Sequence, residues 1–421
     1  MLEAVRFSRR LLGLLPPHKG EGRSLCRCRR AFLNVIACVC IPSIAPAQTP
    51  AQPRVTIGYV EVAGDARYEP ITAYGRLVLR SRERPFTGAQ VALDEAQALG
   101  RVLQIEFALE RISVPTPAAL AGAVLQAKDA HFFIVDAPAE AFKPLLDAVR
   151  GRDILLFNAT APDDGLRRDL CAAELVHTLP SLAMSMDALV QYLVSRKWIN
   201  LLALEGPLPA DAVTVKALES SAKKFGARIV AKQQFKPGTD PREREKNDPA
   251  LLSAINRDYD VVFVADQAFD FARQVPYRTV RARPVVGSID LEPAAWHWTW
   301  EHHGAPQLNS RFQKLSGGRH MESADWAAGI AVKMVVQATL RTRSADFGRQ
   351  REFILGEGSF DGSKGVAVSV RPWDHQLRQA VLLAAPYAVV ARAPVEGFLH
   401  KTNDLDTLGD DEPESPCRLN R

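Results

Sequence analysis

Residues able to do chemistry concentrate in a few short stretches of this chain. The most unusual is Trp296-His297-Trp298-Thr299-Trp300-Glu301-His302-His303. Its aromatic faces could stack on a planar ligand or cage a cation, and its histidines with Glu301 could ligate a metal. Alternation in an extended segment puts Trp296, Trp298 and Trp300 on one face, which equally describes packing between lobes. Packing is the expectation, stacking by Trp296 the sharper functional reading, and metal binding the weakest. Asp163-Asp164 reads as a turn or helix cap, and His177, within the apolar Leu175–Leu179, as a structural histidine. The motifs of enzyme chemistry are missing: there is no G-x-S-x-G elbow, no G-x-x-x-x-G-K-[ST] loop, no H-E-x-x-H, and no G-x-G-x-x-G after the first strand. Gly206-Pro207 reads as a tight turn into a helix rather than an anion cradle. The faint calcium-loop echo from Asp404 fails at Leu408 and Ser415, where ligands are required. No enzyme and no cofactor are indicated.

Positioning such residues requires converging elements. From Arg54 onward, β-rich runs (55–62, 103–109, 131–135, 154–157) alternate with helical patterns (88–99, 117–127, 139–150). The alternation restarts after Pro180, where Ser181 caps an apolar stripe at Leu182, Met186, Leu189 and Leu193. Strands over 199–204, 228–235, 261–265 and 285–287 follow, separated by helices. Helices over 305–314, 323–341 and 346–355 and strands over 366–370 and 379–384 close the chain. This is an α/β chain with parallel sheets in two halves. Ligands in such sheets sit beyond the carboxyl ends of the strands. That rule selects Asp136, Ala137, Asn158, Ala159, Thr160, Glu205, Asp266 and Asp290 as ligand-binding positions. The first such loop, about 25 residues long, adds Tyr68 and Tyr74 as stacking residues. Residues 401–421, rich in acids, read as a disordered tail.

The chain has 421 residues, a net charge of +5 and six cysteines. Eight basic and two acidic side chains lie in residues 1–52, together with Cys26, Cys28, Cys38 and Cys40. A basic region, a short apolar run from Ala31 to Ile41 and Ala45-Pro46-Ala47 describe an export signal over 1–47, cut after Ala47. A lipid anchor at Cys38 is disfavoured by the bulky Ile36. Without the leader the charge is −1 and no dense basic block remains, which argues against nucleic acid as a partner. Arg80, Arg82 and Arg84 read as a solvated loop. Only Cys171 and Cys417 remain, too far apart in sequence for a zinc site. A disulfide between them suits an oxidising compartment, but the polar surroundings of Cys417 favour leaving it unpaired.

Several segments together resemble a known family. Asn158-Ala159-Thr160-Ala161-Pro162-Asp163-Asp164, Cys171 and His177-Thr178-Leu179-Pro180-Ser181 resemble the first crossover region of type I periplasmic binding proteins of the branched-chain amino-acid type. Residues 209–235 and Asp258-Tyr259-Asp260-Val261-Val262-Phe263-Val264-Ala265 resemble the second lobe. Arg54–Glu61, Ala294–Phe312 and Arg371-Pro372-Trp373-Asp374 look like the subgroup associated with quinone (PQQ)-dependent alcohol dehydrogenase systems. The resemblance implies two doubly wound parallel-sheet lobes joined by three crossovers: 54–178 with about 288–362, and 179–287 with about 363–400. It also implies a periplasmic, non-enzymatic receptor that holds a small molecule between the lobes and hands it to an ABC permease in the inner membrane. A carrier or assembly factor for a quinoprotein dehydrogenase, its cofactor or its metal is the alternative. Amino-acid binders carry Gly-Pro and then Ser after the third strand, where Asp136-Ala137-Pro138-Ala139-Glu140 stands here. An acid there is expected to repel a carboxylate and to suit a cation or a hydroxyl-rich ligand.

Overall fold

The computed structural model describes residues 53–73, 77–236, 241–398 and 400–419. The expected leader, with Cys38, and Tyr74 lie outside the described residues.

The first half builds β1 (Arg54–Val62), a hairpin of β2 (Ile71–Ala73) and β3 (Leu77–Arg80), α1 (Phe86–Leu103), β4 (Glu106–Val114), α2 (Leu120–Gln126), β5 (Ala130–Asp136), α3 (Phe142–Val149), β6 (Leu155–Asn158), α4 (Gly165–Arg168) and β7 (Leu175–His177). β4-β1-β5-β6-β7 form one parallel sheet. β1 is buried along all but its first residue, as expected of a strand covered on both faces. The long loop after β1 thus contains a hairpin that periodicity did not reveal.

The second half runs α5 (Leu182–Ser195), β8 (Asn200–Glu205), α6 (Pro209–Phe225), β9 (Arg228–Gln234), α7 (Pro241–Lys246), α8 (Pro249–Ser253), β10 (Val261–Ala265), α9 (Val275–Arg278) and β11 (Val285–Gly287). Its parallel sheet has the order β11-β10-β8-β9. Ser181 caps α5 by accepting from the Met184 N–H.

The chain then alternates between the two cores. β12 (Glu292–Ala294) pairs with later strands, and α10 (Ala305–Leu315), α11 (Ser323–Thr342) and α12 (Phe347–Leu355) pack on the first sheet. After β13 (Phe360–Asp361), β14 (Ala367–Val370) and β15 (Leu377–Arg378), the strands β16 (Val381–Ala385) and β17 (Ala388–Ala393) join β12 in the order β12-β16-β17. Val381 and Leu383 belong to the core of the second sheet, with α5 and α6. Three passages therefore connect the lobes: after β7, between β12 and α10, and between β15 and β16. Gly88 lets α1 meet the start of α11, because a Cβ there would lie 2.1 Å from the Asp325 carbonyl oxygen. That contact brings the first turn of α11 to the space between the sheets.

The tail differs from expectation. Asp404–Thr407 forms a 3-10 turn, Leu405 and Leu408 are buried, and Cys417 pairs with Cys171 across 246 residues. The acids that suggested disorder are paired: Arg371 and Arg378 hold Asp406, and Arg168 holds Asp410. The Gly409 N–H donates to Asp187 of α5, and Lys224 of α6 donates to the Gly409 carbonyl. The tail is a strap binding the first sheet, through Cys171, to the helices of the second.

Candidate functional site

A cleft of about 630 Å³ opens where the strand ends of both sheets converge. Arg67, Tyr68 and Thr160 face it from the first sheet, and Gln267 and Asp290 from the second. The end of β3 and the segment after it contribute Arg80 and Arg82, and β12 and the second passage contribute Glu292, Trp296 and Trp298. His320, Glu322 and Ser323, at the entry to α11, complete one wall.

Behind this wall lies a closed network centred on Asp136. Its carboxylate is fully buried and accepts from Tyr59 (3.0 Å), Tyr68 (2.6 Å), Arg67 (3.2 Å) and Arg84 (2.9 Å). Two guanidiniums neutralise it and hydrogen bonds use both its oxygens, which is what a buried charge requires. Arg67 also grips Asp65 and donates to the hydroxyl and carbonyl oxygens of Thr160. Burial pushes Asp65 up, but the hydrogen bonds from Arg67 outweigh it and hold the carboxyl below its usual range. Burial, with the Asp136 charge added, pushes the Tyr68 phenol up, so Tyr68 stays a neutral donor. The network fixes the first-sheet wall rather than offering it to a ligand.

Two cleft side chains are treated oppositely. Arg82 is half-buried, and no hydrogen bond or ion pair among the described residues holds its guanidinium. Burial and then the neighbouring Arg80 pull its affinity for the proton down, yet an arginine keeps its charge. Asp290 likewise has no protein partner, adopts a left-handed backbone (φ 60°), and has its carboxyl pushed up by burial. Arg80 is only loosely engaged, 3.8 Å from Glu292. An unpaired cation and an unpaired carboxyl in one concave site are the groups a ligand would satisfy.

No family model and no curated protein matches the chain. Solved structures do. A branched-chain amino-acid ABC transporter ligand-binding protein from Burkholderia xenovorans LB400 superposes with a TM-score of 0.66 at 13% identity, covering 87% of this chain and all of its own. An amino-acid ABC transporter substrate-binding protein from Pseudomonas fluorescens Pf-5 gives 0.63 at 13% identity, covering 88% and 100%. The Brucella ovis protein that binds leucine, isoleucine, valine, threonine and alanine gives 0.62 at 15%, covering 86% and 97%. The fold is that of the type I periplasmic binding proteins.

On this binding-protein fold the residues selected from sequence fall into two groups. Tyr68, Thr160, Asp290 and Trp296 line the cleft. Trp296, however, is only 1% exposed and donates to Asn309 (2.9 Å), so its ring is packed. Asp136, Ala137, Asn158, Ala159, Glu205 and Asp266 lie behind the wall. Asp136 is spent on arginines and tyrosines, so the expected repulsion of a carboxylate is overturned. Asn158 accepts from the Thr160 and Ala161 N–H groups and bonds the His177 ring, shaping its loop from within. Ala137 and Ala159 are core residues. Glu205 accepts from Gln234. Asp266 accepts from the Phe271 and Ala272 N–H groups, in a helical turn the strand-end rule could not foresee.

Sequence reasoning does not select Arg67, Arg80, Arg82, Trp298 or His320. Arg80, Arg82 and Arg84 look like a solvated run because three alternating arginines carry no sign of burial. Arg84 instead reaches inward to Asp136, the Val62 carbonyl and the Ala63 carbonyl. The signal that could have found them is their place in the first strand-end loop. Cys417, expected from its polar surroundings to be unpaired, is bonded to Cys171.

Proposed function

We propose that this chain is a non-enzymatic solute receptor. It holds a small molecule between its lobes and releases it to an ABC permease after export to the periplasm. One observation carries the reading: the half-buried Arg82 and Asp290 face the same cleft without a hydrogen-bond or ion-pair partner among the described residues. Leaving such groups unsatisfied costs stability that a bound solute recovers. Periplasmic binding proteins close by hinge motion around ligand, and here ligand bridging Arg82 and Asp290 would favour the closed state. The similar solved structures include receptors for amino acids, and the residues present suit a solute with one anionic group and one hydrogen-bond donor. Among the described residues no helix is long and apolar enough to cross a membrane, and no group of His, Cys, Asp or Glu is arranged to hold a metal ion. Service to a PQQ-dependent alcohol oxidation system rests on the sequence resemblance of Arg54–Glu61, Ala294–Phe312 and Arg371–Asp374 alone.

The test is a thermal-shift screen of amino acids, alcohols, their acids, PQQ and metal ions, with small-angle scattering on every hit. A cognate solute raises the melting temperature by mass action and reduces the radius of gyration. A screen with no shift at millimolar concentrations overturns the reading.

A further inference from the structure

The receptor reading leaves the class of solute open, and any narrower choice of solute depends on that reading. The cleft that Arg82 lines also has an aromatic wall that is already fixed. Trp298 and His320 stack with ring centroids 4.1 Å apart and planes 11° from parallel, and both line the cleft. The Trp298 carbonyl accepts from Asn309 (2.8 Å), the same residue whose oxygen takes the Trp296 indole N–H. Gln313 bonds the His320 ring at 2.7 Å. The pair is thus held by α10 before any ligand arrives, which lowers the entropic cost of binding. His297 lies against Trp298 with ring centroids 5.9 Å apart, whereas His320 is solvent-exposed. Arg82 lines the same cleft, and among the acids whose charge acts on it is Glu322, two residues beyond His320.

The remaining lining suits a flat molecule better than a branched aliphatic one. Its apolar members are mostly alanines and prolines, and Met321 is only 3% exposed. An aliphatic amino acid would use Arg82 but gain little from the stacked rings. A guanidinium is a planar fork matched to a carboxylate, and aromatic groups gain from offset stacking.

We propose that the cleft takes a planar, conjugated carboxylic acid, its carboxylate held by Arg82 and its ring laid against the Trp298–His320 pair. Isothermal titration of the purified full chain with naphthalene-2-carboxylate and decahydronaphthalene-2-carboxylate tests this, because the two share carbon count and charge but differ in planarity. The planar acid is expected to bind at least about tenfold tighter, about 1.4 kcal/mol. Arg82→Gln is expected to weaken both acids at least about tenfold, while Trp298→Leu brings the planar acid down to the level of the saturated one and leaves the latter unchanged. Equal affinity for the two acids in the wild type, or equal losses in Trp298→Leu, overturns the proposal. Binding of leucine without the planar acid overturns it too, while leaving the receptor reading intact. No binding by any compound of the solute screen ends both.

Discussion

Arg371 and Arg82 are the same side chain in opposite circumstances, one under the strap and one in the cleft. Arg371 is 1% exposed and fully spent: it donates to Asp406 (2.9 Å) and to the carbonyls of Leu408 (2.6 Å) and Leu405 (3.2 Å), and lies over Trp373. Arg82 is half-buried and spends nothing on the protein. The two differ in burial, but the sharper separation is in the count of partners. A group whose hydrogen bonds close within the protein holds the fold together, and one left open awaits something else.

The largest effect that tests this contrast is on stability. Arg371→Gln strips Asp406 of one of its two guanidiniums and leaves the Leu405 and Leu408 carbonyls short of a donor. Breaking a buried pair from one side costs about 3–5 kcal/mol, and urea denaturation should read a loss of that order. Arg82→Gln should leave stability unchanged or raise it by about 0.5–1 kcal/mol, since it removes a desolvated charge that no hydrogen bond or ion pair holds, at the cost of only its longer-range attraction to Glu292 and Glu322. Equal losses in the two variants would erase the distinction.

A smaller effect is expected where the strap is covalently closed. Cys171→Ser with Cys417→Ser opens the tie between the first sheet and a tail anchored on Asp187, Lys224, Arg371 and Arg378. Removing a cross-link over so long a loop typically costs about 2–4 kcal/mol. The melting temperature should fall by the same amount in dithiothreitol as in the double variant, with affinity at the cleft kept within about twofold. A wild type whose melting temperature is indifferent to reductant would show that the strap's ion pairs, not its disulfide, bind it down.

The same contrast explains what the sequence could and could not disclose. The sheets were legible because both-face burial forces continuous apolar runs such as Val261–Ala265, and β10 has those bounds. The strand-end rule found the cleft as a place, yet it named Asp136, Asn158 and Asp266, whose partners are supplied by Arg67, Arg84, Tyr59 and backbone N–H groups that no strand-end pattern displays. Partner counts arise from tertiary contacts and leave no local pattern. That is also why Arg82 was invisible among Arg80 and Arg84, and why the acidic tail looked solvated: Asp406 is acidic by composition but buried by two arginines. Short elements such as β12 and the β2–β3 hairpin were missed because three or four residues cannot display a period.

The smallest expected effect lies within the cleft and concerns its acids. Burial pushes Asp290 up; burial also pushes Glu292 up, with Arg80 and Arg82 pulling it back and Asp290 and Glu322 adding to the rise. Both carboxyls therefore take up a proton at higher pH than a solvated one. As pH falls toward those raised values, a growing fraction of each becomes neutral before a solvated ligand carboxylate does. Repulsion between the cleft and the anion declines, so affinity for naphthalene-2-carboxylate should rise a few-fold toward acid. For stability the sign is the same: between the unfolded and the raised folded values the native state binds more protons, so stability falls as pH rises through that window. Asp290→Asn with Glu292→Gln should fix the cleft in its neutral form, lifting affinity at neutral pH and flattening the profile. A flat profile in the wild type would place the bound anion away from these acids, and with it away from Arg82, whose charge bears on Glu292.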